Sequence, residues 1–346
     1  MFLSCSLRFF FACALYNFLL YMKKILGIGN ALVDMIIFLE NDEVLDRFSF
    51  PRGSMQLVDN KTARNVEKAT QACKKHMASG GSAANTIHGL AGLGVPTGFI
   101  GSVGRDQMGD FFREDMIRAG IRPILSLSSS ETGSSRALVS PDGERTLATH
   151  LGAAVELSPG VLDPITFAEY SHLHLEGYLV LNHELVEKAL EYAQQFNMTV
   201  SLDLASFNVV ESNLDFLRRI VKERVDIVFA NEEEARAFTG QSDPRMALKK
   251  ISRMCATSVV KLGEKGSLIF HQGRTCEAGV IQARCLDTTG AGDLYAAGFL
   301  YGMVNNLSPE ECGMAGALLA GKVIENAGAK ISEVSWTVIR EMLKIV

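Results

Sequence analysis

From Thr97 onward the chain alternates short β-rich apolar runs with helical stretches, and this alternation constrains the fold more than any other feature. Thr97 to Ser102 reads as a strand and Asp110 to Ala119 as a helix stopped at Gly120. Strand His172 to Leu175, helix Glu184 to Phe196, strand Thr199 to Asp203, a helix around residues 212 to 223 and strand Asp226 to Ala230 follow in turn. Strand Ser258 to Leu262 then ends in the turn Gly263-Glu-Lys-Gly266, which leads to strand Ser267 to His271. Strands separated by helices pair in parallel, so the class is α/β: a mainly parallel central sheet with helices on both faces. A chain of 346 residues suffices for one such domain with a smaller appendage.

The appendage is legible as turns. Phe48 to Asp59 alternates short extended pieces around Pro51-Arg-Gly53, and the strands Ser135 to Ser140 and Arg145 to His150 flank Pro141-Asp142-Gly143, a hairpin signal. These predict a small β flap outside the main sheet, drawn from about residues 36–60 and 135–150. Residues 61 to 77 read as a polar helix with a basic last turn, and residues 312 to 324 as a buried helix ended by Asn326-Ala-Gly-Ala. No internal repeat, low-complexity tract or long linker interrupts the chain.

Composition excludes several classes. The formal net charge of -5 comes without a basic block, so nothing argues for a nucleic-acid partner. Seven cysteines without a C-x-x-C pair suit reduced thiols in a cytoplasmic protein. His172 and His174 share one face of a strand but supply only two metal ligands, so they read as ordinary strand residues. The apolar run after Arg8 spans only about a dozen residues, is broken by Asn17 and falls short of the ~20 that cross a membrane. Met22-Lys23-Lys24 opens a strand directly behind it. Residues 1–21 are therefore expected to be a disordered upstream extension, with residues 22–346 forming the domain and no membrane partner.

Two glycine-rich stretches carry the chemistry. In the first, Cys285-Leu-Asp-Thr-Thr-Gly-Ala-Gly-Asp293, a strand end runs through Gly290-Ala291-Gly292 into a helix. Glycines let backbone N–H groups converge there, and the helix adds its positive end, so an anion is favoured. Asp293 beside such an anion hole has chemical work to do if it takes a proton from an attacking hydroxyl; the bland alternative is a helix cap. In the second stretch, Gly80 and Gly81 can bring bare backbone against a ligand, and Asn85 sits one turn into an Ala-rich helix where its amide can point back. A glycine turn serving only helix packing is the competing account. Asn30 and Asp34, polar residues in the apolar run from Ile25, need partners or a ligand, and a carboxylate such as Asp34 recognises hydroxyls. Gly27-Ile-Gly29 lacks the third glycine of a dinucleotide fingerprint, since Leu32 stands there. Asn231-Glu-Glu-Glu234 opens a helix, where acidic residues either cap or orient hydrated Mg²⁺. Arg145 either faces water or reaches a phosphate.

In this order, about two hundred residues apart, the two glycine motifs resemble the ribokinase/PfkB family of carbohydrate and nucleoside kinases. Asp287-Thr-Thr-Gly-Ala-Gly-Asp293 is similar to the C-terminal signature of that family, and Gly80 to Asn85 with Gly101-x-x-Gly-x-Asp106-x-x-Gly109 to its N-terminal one. The resemblance implies a ribokinase-like fold whose β flap is a lid over the substrate, closing as a monomer or pairing as a homodimer. It implies an ATP-dependent kinase with Asp293 as base and Gly290, Ala291 and Gly292 as anion hole. Asn30, Asp34, Gly80, Gly81 and Asn85 would hold the sugar or nucleoside. Asn231 and Glu234 would lie near Mg²⁺, Lys261, Gly263, Gly266 and Asn326 near the nucleotide, and Asp287 where some members bind K⁺. Asn30-Ala-Leu-Val-Asp34 and Arg145-Thr-Leu-Ala-Thr-His look more like adenosine kinase than ribokinase or fructokinase, and Arg145 would reach the phosphates. Phe38, Phe48, Phe50, Met55 and Leu57 would then form either a slot for the base, lid packing or a dimer contact. A kinase for ribose, fructose or a related sugar, and a nucleoside-binding homologue without turnover, remain the alternatives.

Overall fold

The computed structural model describes residues 23–344; the expected extension at 1–21 and the start at Met22 lie outside the described residues. The strands are β1 (Ile25–Ile28), β2 (Leu32–Phe38), β3 (Met55–Leu57), β4 (Lys74–Gly80), β5 (Thr97–Gly104), β6 (Arg122–Ser128) and β7 (Gly133–Val139). They continue with β8 (Arg145–His150), β9 (His172–Glu176), β10 (Thr199–Asp203), β11 (Ile227–Asn231), β12 (Thr257–Lys261), β13 (Ser267–His271) and β14 (Arg274–Ala278).

Nine of them form one sheet in the order β14-β13-β12-β11-β10-β9-β1-β5-β6. Every pairing from β12 to β6 is parallel, and β13 and β14 are added antiparallel at one edge. Buried runs such as Ile25–Ile28 face helices on both sides, so successive side chains enter different cores. Ile25 and Phe99 pack with the helices Ser82–Gly92, Ala291–Val304 and Pro309–Val323. Leu26 and Ile28 pack with His183–Gln195 and Leu214–Arg224. The chain leaves β1 for β5 and β6 on one side and returns to β9 on the other, which makes β1 and β9 the topological switch point. Ligands of open parallel sheets bind in the crevice outside the strand ends there.

A second sheet, β3-β8-β7-β2-β4, stands over those ends. It contains the expected hairpin, with Gly143 at φ 91 and Ser140 paired to Glu144. It also takes in a segment assigned above to a helix. The helix capped by Asp59 stops at Ala69, and Lys74–Gly80 is a strand antiparallel to β2, because main-chain pairing with Leu32–Phe38 outweighs the helical pattern of the basic run. Within the expected flap range 36–60, Glu43–Phe48 forms a short helix. The expected helix near 212–223 runs from Leu214 to Arg224, and a short helix that was not read, Phe207–Ser212, precedes it across Asn213. β6 and β14 went unread: one opens on Arg122-Pro123, and the other is half charged or polar.

Candidate active site

Polar residues finish the parallel strands around the switch point. Asn30 follows β1, and Glu176, Asp203, Asn231 and Lys261 end β9, β10, β11 and β12. A cleft of about 1390 Å³ lies over them, closed from above by β2, β3 and β8, and also lined by Asp34, Gly81, Ser82, Asn85, Gly292 and Asp293.

Asp293 enters from the first turn of the helix Ala291–Val304. That helix starts from Gly290 at φ 77, where a Cβ would lie 2.5 Å from Ala329, so only glycine makes the turn. The cap account of Asp293 is not what the geometry gives: its helix has no side-chain cap. Instead Oδ1 accepts from Ser82 Oγ at 2.8 Å and Oδ2 from Asn85 Nδ2 at 3.0 Å, which joins the two glycine motifs in one cleft. Burial pushes its carboxyl up to about 6, and the nearby Asp203 adds to this against the two hydrogen bonds. Lys261 is paired with Asp203 at 2.8 Å, and a Cβ on Gly292 would come within 3.1 Å of the Lys261 ammonium. A cation thus stands over a bare helix N-terminus, a cradle for an anion.

Opposite the cradle, Asp34 faces the cleft, its carboxylate accepting no hydrogen bond from the described residues, and burial raises it to about 7, opposed by Lys330. Gly80 does not line the cleft; it lies directly behind Asp34, whose carboxylate occupies the space a Cβ would take. Gly81 has φ 102 and presses against the Asn30 carbonyl. The sequence reading missed Glu176. Its oxygens accept from the Asn30 backbone and amide at 2.8 and 2.6 Å and from Ala83 N at 2.9 Å, so one buried carboxylate ties β9, the β1–β2 junction and the Gly81 turn together. Burial lifts it to about 7. The available signal was a charged residue at the carboxyl end of an otherwise apolar strand.

On the other side, Asn231 and Glu234 form a reciprocal capping box: Asn231 Oδ1 accepts from Glu234 N, and Glu234 returns the bond to Asn231 N, both at 2.8 Å. Both line the cleft, so the cap does not remove them from it. Among the described residues no group of three or more His, Cys, Asp or Glu side chains is disposed to hold a metal. Glu234, raised to about 7 first by desolvation and then by Asp203, shares the cleft wall with Asp203 and Asp293, an acidic lining of the kind that fits Mg²⁺ held through its own waters. Gly263 and Gly266 line the same end, and Gly266 at φ 86 abuts the Ala278 carbonyl.

Three expected positions sit elsewhere. Asn326 turns its amide back to the Lys322 carbonyl at 2.9 Å, ending its own helix rather than lining the cleft. Arg145 neither faces water nor points to an open anion site; it pairs with Asp287 and donates to Thr289 Oγ1 at 3.0 Å. Asp287 also accepts from Thr289 N and Gly328 N, so both its oxygens are engaged and offer little to K⁺. Of the expected base slot, only Met55 and Leu57 line the cleft. Phe48 and Phe50 stack on each other against the core, and Phe38 meets His76, because the short helix Glu43–Phe48 turns the first two inward. The apolar wall is aliphatic instead: Leu32, Met55, Leu57, Leu147, Leu151 and Val155.

Known proteins match this architecture. An adenosine kinase from Sinorhizobium meliloti has a solved structure that superposes with a TM-score of 0.83 at 33% identity, covering 93% of this chain and 99% of that one. A curated protein of Archaeoglobus fulgidus named as an uncharacterized sugar kinase is 30% identical over 70% of this chain and 96% of its own length. Adenosine kinase 2 of Arabidopsis thaliana is 26% identical over 90% of this chain and 97% of its own. Residues 53–336 match the sequence model of the pfkB family carbohydrate kinases. With both glycine motifs converging on one crevice and most of the chain matched, the protein belongs to the pfkB family, whose members phosphorylate a hydroxyl of a sugar or nucleoside.

Proposed function

We propose that this kinase transfers the γ-phosphoryl group of ATP to a ribose hydroxyl of adenosine or a close nucleoside relative, with Asp293 as the base. The observation that carries the reading is the direction of the Asp293 carboxylate, away from its own helix and onto Ser82 and Asn85. Substrate hydroxyls exchange into those bonds and onto Asp34, and the aliphatic wall receives the base. The acceptor oxygen forms a bond to the γ-phosphorus as the bond to the ADP oxygen breaks, and Asp293 takes the proton released. The backbone of Gly290, Ala291 and Gly292, with Lys261 above it, stabilises the migrating group. Mg²⁺, when bound through water near Asn231 and Glu234, neutralises the triphosphate charge. A raised Asp293 is the better base for it.

A free sugar would use the polar end of the cleft and leave six aliphatic side chains unused. Steady-state kinetics with adenosine, inosine, ribose and fructose under ATP and Mg²⁺ test this. Adenosine is expected to have the highest kcat/KM. A preference for ribose or fructose would make the chain a sugar kinase, and adenosine binding without turnover would make it a non-catalytic binder.

A further inference from the structure

We infer that Lys330 is a positioning residue for this reaction: it fixes the orientation of the Asn85 amide and supplies the positive charge that faces Asp34. The inference rests on the reading of the cleft given above. Lys330 follows the glycine turn at Gly328 and does not line the cleft, so it acts through other side chains. The Asn85 amide has two ends. Nδ2 donates to Asp293 at 3.0 Å, while Oδ1 faces the Lys330 ammonium at 3.5 Å, a long contact that still fixes the sign of the interaction. Turning the amide over would set N–H against ammonium and oxygen against carboxylate, so Lys330 and Asp293 together permit one orientation.

The surroundings make this charge functional as well as structural. Asp34 from β2, Asp115 from the helix Gln107–Arg118 and Asp293 from Ala291–Val304 all act on Lys330. His88, on the same helix as Asn85, is kept neutral by burial and by the ammonium itself. Asp115 is already occupied: it accepts from Ser79 Oγ at 2.6 Å, Ser79 N at 3.2 Å and Arg118 at 3.2 Å. Among the described residues Asp34 has no such partner, and where burial, Asp293 and Asp287 oppose its ionisation Lys330 favours it, drawing Asp34 toward the anion that accepts substrate hydroxyls.

The test compares wild type with Lys330→Met, Lys330→Gln and Lys330→Arg, reading KM for acceptor and for ATP separately and kcat/KM against pH. Met removes both functions: acceptor KM is expected to rise about tenfold or more, ATP KM to stay unchanged, and the acid limb to move to higher pH as Asp34 loses its cation. Gln retains a donor for Asn85 without the charge, so the limb moves while KM rises less. Arg keeps the wild-type acid limb and holds activity above about pH 8, where burial leaves Lys330 ready to lose its proton. If the Met variant fails to fold, the Gln and Arg pair decides. Unchanged acceptor KM and an unmoved acid limb in the neutral variants, with thermal stability alone reduced, overturn the inference. A wild-type chain that turns over none of the four acceptors overturns the proposed function and this inference with it.

Discussion

Asp293→Asn preserves the shape of the side chain and removes its charge, and the structure assigns opposite signs to the consequences for turnover and for stability. Raising the carboxyl from 3.8 to about 6 means that holding it ionised at neutral pH costs the fold up to ~3 kcal/mol, less whatever partial contact with solvent screens. Asparagine escapes that cost. Its Oδ1 still accepts from Asn85 Nδ2 and its N–H turns to the Ser82 hydroxyl, so two charge-assisted hydrogen bonds become neutral ones, at a cost of ~1–3 kcal/mol. The variant should therefore be as stable as wild type or up to ~2 kcal/mol more stable at pH 7.5. Turnover should fall about 10²–10⁴-fold, a barrier increase of ~3–5 kcal/mol, while ATP affinity stays nearly intact because the anion cradle is backbone and Lys261. Coupled ADP release, calorimetric ATP titration and urea unfolding read the three quantities. Turnover within about tenfold of wild type, or a parallel loss of ATP affinity, refutes the base assignment. A stability loss above ~1 kcal/mol refutes the electrostatics.

The remaining predictions concern the same cleft. Asp293 and Asp34, raised to about 6 and about 7, must be ionised to act, so kcat/KM should fall as pH drops through 7 to 6; a midpoint below about pH 5 would contradict the burial argument. Because these folded values lie above the unfolded ones, the ligand-free protein should lose stability as pH rises from about 4 to 7, and urea midpoints across that window check the sign. Gly292→Ala places a methyl group 3.1 Å from the Lys261 ammonium and should raise ATP KM about tenfold or more without changing acceptor KM. Glu176→Ala strands the Asn30 amide and Ala83 N–H, so stability should fall by ~2–4 kcal/mol and acceptor KM should rise; unchanged acceptor binding would show the carboxylate to be dispensable.

What could be read in the chain was what is local to it. A Gly-Ala-Gly turn before a helix announces an anion hole whatever the rest does, and Asp293, Gly81 and Asn85 were visible for that reason. Glu176 and Asp203 were not, since a strand ending in a charge reads like any other strand until its neighbours are known, and Lys330 was not because it stands in a connection after Gly328 with no pattern to mark it. The neighbours follow from the strand order, which no short window contains. The same ignorance misdirected Phe48 and Phe50: aromatic residues in a flap are apolar either way, and only the helix Glu43–Phe48 decides that they face inward. Lys74 to Gly80 erred in the other direction, because pairing with β2 overrode a plausible helical pattern. Arg145 was read as either facing water or reaching a phosphate and does neither, because its partner Asp287 is 142 positions later in the sequence and could not be paired from spacing alone.

The place of β1 between β5 and β9 has a bearing on synthesis. A ribosome that has released the chain only through β5 has given its first strand one flanking neighbour, and Asn30 waits for an acceptor until residue 176 has left the exit tunnel. Until then the open edge of β1 is a template for another nascent chain, which makes the delay between these two stretches the hazardous interval in production of this enzyme.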